Sequence, residues 1–175
     1  MKSLGLLGAR LVLGVYLAVH GAQKLFGSFG GPGLDVAGGH FESIGLRPGK
    51  AMAGLAAASE LGGGVLTATG IAFPLGPLAI IGTMAIAALT HREKGPLSAK
   101  GGFELPLTNL AAAAALAAAG PGNLRLGPSL SPRLVRRAVV VGAALGGVAA
   151  YQLLNAQPAE VPAAPESADT ESADL

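Results

Sequence analysis

The sequence predicts an all-α integral membrane helix bundle, with a four-helix core and a fifth, C-terminal transmembrane helix. Hydrophobic residues make up 51% of the 175-residue chain and charged residues only 13%, about half the charged share of an ordinary soluble domain. Mean hydropathy is +0.55. The apolar residues also gather into long runs. The clearest is Ala51–Phe73, 23 residues with a single ionisable side chain, Glu60. At about 1.5 Å per residue, a helix of that length matches a bilayer core of about 30 Å.

The first span is read at Leu4–Phe26. Lys2 before an apolar run resembles a signal peptide, but Arg10 interrupts the run and no small-x-small cleavage site follows, so a retained helix is expected. At 100° per residue, Arg10, Leu17, His20, Gly21 and Lys24 share one polar face. Lys24 can snorkel to the interface, and His20 can serve as a helix-end residue. Arg10 lies deeper. Glu60 is the one acid inside another span, and intramembrane charges usually pair, so an Arg10–Glu60 ion pair is expected.

Residues Gly27–Pro48 read as a long glycine-rich loop, with His40, Phe41 and Glu42 on a short amphipathic piece at the interface. Pro48 then opens the second span. Within it, Gly62-Gly63-Gly64 gives neighbouring backbones a smooth face for close approach. Pro74–Pro77 is expected to be a tight turn. The third span, Leu78–Thr90, is short and crosses only with tilt, with thinning of the bilayer, or by recruiting Leu75–Pro77. A polar loop from His91 to Lys100 leads through Gly101-Gly102-Phe103-Glu104 into the fourth span, Leu105–Ala119, which Gly120-Pro121-Gly122 ends.

Asn123–Arg137 reads as a second basic loop before a fifth span, Ala138–Leu154. The organisation is therefore a membrane domain over 1–122, a basic loop and fifth helix over 123–154, and an acidic tail over 155–175. The tail lacks apolar bulk to bury and is expected to be disordered.

Composition also excludes classes of function. There are no cysteines, so disulfides, thiolate metal sites and thiol redox chemistry of the chain's own are ruled out. No metal site is expected. The basic residues are scattered near helix ends, which suits anionic lipid and not nucleic acid. Counting them by loop places five cations on the amino-terminal side and six on the other. Weight on the Arg133–Arg137 cluster puts the amino terminus in the cytoplasm and the tail outside.

Several of these residues recur as a series. It runs Arg10…His20-Gly21-Ala22-Gln23-Lys24-Leu25-Phe26-Gly27, then Phe41-Glu42…Gly45-Leu46, Glu60-Leu61-Gly62-Gly63, Gly101-Gly102-Phe103-Glu104 and Gly120-Pro121-Gly122. In order and spacing it resembles the DoxX family over roughly residues 4–122. Asn123-Leu124-Arg125 stands where that family commonly continues with Ser-x-Asp. The resemblance implies a four-helix integral membrane fold in the cell membrane. It also implies a link to quinone-coupled thiosulfate or sulfur-compound oxidation, or to oxidoreductase complexes of oxidative-stress defence.

On that reading the chain is a membrane subunit of a quinone-linked oxidoreductase system. Glu60 and His20 would transfer protons, and Arg10, Lys24, Glu42 and Glu104 would complete a polar pocket for quinone. Lipid, soluble redox enzymes and a second copy of the chain are the expected partners. The alternatives are a non-catalytic scaffold for soluble redox enzymes and, with less support, a small transporter. The latter lacks the broken-helix repeats of that class.

Overall fold

The computed structural model describes residues 2–156. Its main helices are α1 (Lys2–Phe26), α2 (Gly33–Ser43), α3 (Gly49–Thr69), α4 (Leu75–Thr90), α5 (Glu104–Ala119) and α6 (Pro132–Leu154). Short 3-10 turns at Ser28–Gly30, Arg92–Lys94 and Ser98–Lys100 sit in the connections. No strand occurs among the described residues. From residue 157 onward the acidic tail lies outside the described residues.

The fold is an all-α membrane bundle. Helices α1, α3 and α6 are each long and apolar enough to cross a membrane. Helices α4 and α5 are apolar but only 16 residues long, about 24 Å of rise. The third apolar run does recruit Leu75–Pro77, because α4 begins at Leu75 and places Pro77 in its first turn.

The most extensive pairing is α1 against α3, and glycine permits it. A Cβ on Gly14 would sit 2.5 Å from the Gly64 carbonyl oxygen and 2.6 Å from the Ala68 nitrogen. A Cβ on Gly21 would sit 2.6 Å from the Ala57 carbonyl oxygen. The two helices are thus antiparallel and touch backbone to backbone at two levels, seven residues apart on each helix. Apolar burial does not drive helix association in lipid, so such contact surfaces carry the packing. Gly14→Leu should force the helices apart at a cost of about 1–3 kcal/mol or more. Gly62→Leu, whose Cβ meets nothing within 4 Å, should be tolerated. The thermal midpoints of the two purified variants check this.

Leu13 and Leu17 of α1, Ile80 and Met84 of α4, and Ala113 and Leu116 of α5 form one buried cluster. A second cluster joins Leu46 to Ala149 and Leu153 of α6. There the Gln152 side chain accepts from Arg47 N–H (3.1 Å) and donates to the Arg47 carbonyl (2.7 Å). Helix α6 is otherwise mostly exposed, as expected for a helix surrounded by lipid.

Three expectations need correcting. The second span does not reach Phe73. Gly70 takes a left-handed conformation (φ +71°) and caps α3 by donating to the Leu66 carbonyl, as glycine does at helix ends. The Gly27–Pro48 loop contains a regular helix, α2, of 11 residues. Finally, Arg133, Arg136 and Arg137 are not in a loop. Ser131-Pro132 starts α6 six residues before Ala138, and proline in a first helical turn is the reason.

Candidate functional site

The buried face of α3 is a stripe of small residues: Gly49, Ala53, Ala57, Gly64 and Thr67, with Glu60 among them. Small neighbours let α1 come close, so Glu60 faces protein and is only 5% exposed. Its partner is Lys24, whose Nζ lies 2.5 Å from the carboxylate. The expected Arg10–Glu60 pair is therefore wrong. The register explains why. Gly14 meets Gly64 and Gly21 meets Ala57 and Leu61, so Glu60 stands level with the stretch around residues 18–22 of α1. Arg10 is at least eight residues away, about 12 Å of helix rise, whereas Lys24 is one turn away on the other side and reaches back.

His20 completes this cluster. It stands one turn before Lys24 on the same face of α1, is partly buried, and meets the Tyr16 ring edge-on at 4.5 Å between centroids. Lys24 is about one-quarter exposed. The arrangement is an acid, a base and an imidazole gathered at membrane depth, with the deepest member carrying the negative charge. Asn109 of α5 points its amide toward the Met84 sulfur at 4.0 Å. That is a weak contact on the facing side of the bundle.

Arg10 does something else. It is 1% exposed and donates to three carbonyls: Pro121, Leu124 (2.7 Å) and Ala68 (3.3 Å). The Ala68 carbonyl belongs to the last turn of α3, where a cation offsets the helix dipole. The other two belong to the segment after α5, which Gly120-Pro121-Gly122 keeps from being helical. That segment crosses the α3–α4 turn as a strap. Leu126 N–H donates to the Thr69 carbonyl, Ala72 N–H to that of Pro128, and Leu130 N–H to that of Phe73. The sequence reads this segment only as a basic loop, Asn123–Arg137. The signal for a strap is the Gly-Pro-Gly break, which leaves carbonyls without helical partners at a membrane boundary.

Glu42 and Glu104 stand apart from Glu60. One carboxylate oxygen of Glu42, on α2, accepts from Gly49 N–H (2.8 Å) at the start of α3. The other lies 3.8 Å from the Arg47 guanidinium. A carboxylate there complements the positive end of the α3 dipole. Asp35–Lys50 (2.5 Å) makes a second exposed clip between the same helices. Glu104 heads α5 and accepts from Ser98 N–H at 3.0 Å, fastening its own loop. Of the six residues expected to form one pocket, the structure brings together His20, Lys24 and Glu60. Glu42 and Glu104 serve helix and loop ends on that side, and Arg10 serves the opposite side. Among the described residues no group of three metal-ligating side chains is assembled.

An all-helical membrane bundle with an ionisable cluster buried between its first long helices defines a class of protein. Within that class, the DoxX family model matches residues 5–93, just over half of the chain. The chain belongs to the DoxX family of membrane proteins. The match spans α1 to α4 and includes Arg10, His20, Lys24 and Glu60. Helices α5 and α6 lie beyond it. No curated protein and no solved structure matches the chain.

Proposed function

We propose that this protein is the membrane subunit of a quinone-linked oxidoreductase system in the cell membrane. Its His20–Lys24–Glu60 cluster would be the place where a quinone head binds and protons move. The observation that carries this reading is the Lys24–Glu60 pair, closed at 2.5 Å with Glu60 buried, beside an imidazole and inside the family-matched region. A quinone offers two carbonyl acceptors and, on reduction, needs two protons. The donor set fits: Lys24 has three N–H donors, and the His20 imidazole has one nitrogen that donates and one that accepts. When bound, the quinone supplies the two-electron couple.

The chain's own residues hold and relay. Lys24 can donate to a carbonyl oxygen while it remains beside the Glu60 carboxylate. His20, one turn deeper than Lys24 on the same face of α1, is the group placed to exchange a proton with a quinone bound in the cluster. Glu60 keeps the positive charge of Lys24 at depth, where it would otherwise swing outward. The chain has no cysteine and hence no thiol couple of its own; on this reading a separate redox protein, docked at the membrane surface, supplies the electrons. Purification of the full chain from native membranes, with identification of bound quinone and associated proteins, tests the assignment. Recovery of a redox enzyme with quinone supports it. Recovery of redox enzymes without quinone, unchanged on neutralising Glu60, would favour a scaffold.

Orientation follows from how charge is distributed in the fold. One end carries Arg125, Arg133, Arg136 and Arg137, with Lys2 at the start of α1, and no Asp or Glu occurs in 1–34, 61–92 or 105–159. At the other end Lys24, Arg47, Lys50 and Arg92 each stand beside an acid, which leaves Lys94 and Lys100 as the cations there without an ion pair among the described residues. The end with the greater number of unpaired cations should be cytoplasmic. Because the chain has no native cysteine, single-cysteine labelling is clean. Ser98→Cys should label from outside intact cells, and Ser131→Cys only after permeabilisation. The opposite pattern reverses the orientation.

A further inference from the structure

At the end of the bundle away from Glu60, the strap borders an open cavity of about 420 Å³ at the start of α1 and the end of α3. Leu7, Leu11, Leu124 and Leu126 line it together with two arginines, Arg10 and Arg125. Its lining is mostly apolar with a cationic corner. Arg10 spends three of its five N–H groups on carbonyls. Its Nε has no acceptor. Arg125 Nη1 donates to the Ser129 hydroxyl (2.7 Å) and its remaining donors are free to turn toward the cavity mouth. Gly70 sits against both: a Cβ there would lie 2.9 Å from Arg10 Nη1 and 2.9 Å from Arg125 Cβ. The segments that build the cavity contain no carboxylate. Two guanidinium groups at a membrane boundary thus share a cavity without a counter-charge among the described residues, one of them buried and incompletely satisfied.

We propose that this cavity binds a phosphate group, with the glycerol and upper acyl chain of an anionic phospholipid against Leu7 and Leu11. Guanidinium is the side chain suited to planar, multidentate contact with phosphate oxygens. The apolar lining and the position at the end of α3 favour a lipid-borne phosphate over a free one. This site is independent of the quinone reading, since it lies at the opposite end of α1 from His20 and Lys24.

The test uses the purified full chain in detergent and native mass spectrometry, with phosphatidylglycerol, phosphatidylcholine and inorganic phosphate as probes. Wild type should retain phosphatidylglycerol about tenfold better than phosphatidylcholine. Arg125→Gln should remove that preference, since one charge-assisted hydrogen bond is worth roughly that factor. Arg125 is exposed on the strap, so this variant should fold. Arg136→Gln, exposed on α6, should leave the preference intact. Displacement of phosphatidylglycerol by inorganic phosphate, dependent on Arg125, would identify free phosphate as the source of the same bound chemistry. Equal retention of the two lipids by wild type would overturn the proposal. So would equal losses from Arg125→Gln and Arg136→Gln, which would mean diffuse surface charge and no built site.

Discussion

Lys24→Met is expected to deplete folded protein from the membrane more severely than Glu60→Gln does, and the combination of the two is expected to restore it. The asymmetry comes from depth. Lys24 stands two residues before the end of α1 and is one-quarter exposed. If Glu60 is neutralised, its ammonium can swing to the interface. Glu60 is in the middle of α3 and buried. If Lys24 is removed, the carboxylate is left without a partner at membrane depth. Breaking a buried pair from one side typically costs about 3–5 kcal/mol, while replacing both members with neutral groups of similar size is often neutral. Arg10→Met combined with Glu60→Gln should show no such rescue, because the two side chains do not meet. Folded yield after extraction, compared across the single and double variants, checks all of this.

The second large effect is expected at Arg10. Arg10→Ala removes three hydrogen bonds and leaves the carbonyls of Ala68, Pro121 and Leu124 to find other donors. Hydrogen bonds to a charged donor are worth about 1.5–3 kcal/mol each and do not simply add. A loss of roughly 3–5 kcal/mol follows, with the strap detached from the α3–α4 turn. Arg10→Lys should recover only part of it, since an ammonium cannot span the two strap carbonyls as a planar fork does. Protease cleavage within Asn123–Ser131 is the readout. Faster cleavage in Arg10→Ala than in Arg125→Gln is expected, and equal rates would mean that Arg10 does not hold the strap.

The helices themselves were legible because the apolar runs are long and few residues interrupt them. Their ends were less so. Gly70, not Phe73, ends α3, because a left-handed glycine stops a helix inside an apolar run that hydropathy alone would continue. The α2 helix was hidden by its glycines, which in water argue for loop. Here Gly38 and Gly49 bring α2 onto the start of α3: a Cβ on Gly38 would lie 2.9 Å from Lys50 Cα. At the candidate site, charge type was readable and pairing was not. Depth in sequence made Arg10 and Glu60 look like partners. The antiparallel register of α1 on α3, fixed by Gly14 and Gly21, determines that Lys24 is the one within reach. Backbone carbonyls as the partners of Arg10 leave almost no trace in a sequence, since carbonyls are present at every residue.

Whether the His20–Lys24–Glu60 cluster binds quinone is decided by titrating a short-chain quinone into the reconstituted full-length protein. The comparison is between wild type and two variants chosen to fold, His20→Ala and the rescued Lys24→Met with Glu60→Gln. Saturable binding to wild type, weakened about tenfold or more in each variant through lost hydrogen bonds to the quinone oxygens, is the predicted result. Binding of equal strength in all three, or none to the folded wild type, would mean that the cluster is not a quinone site.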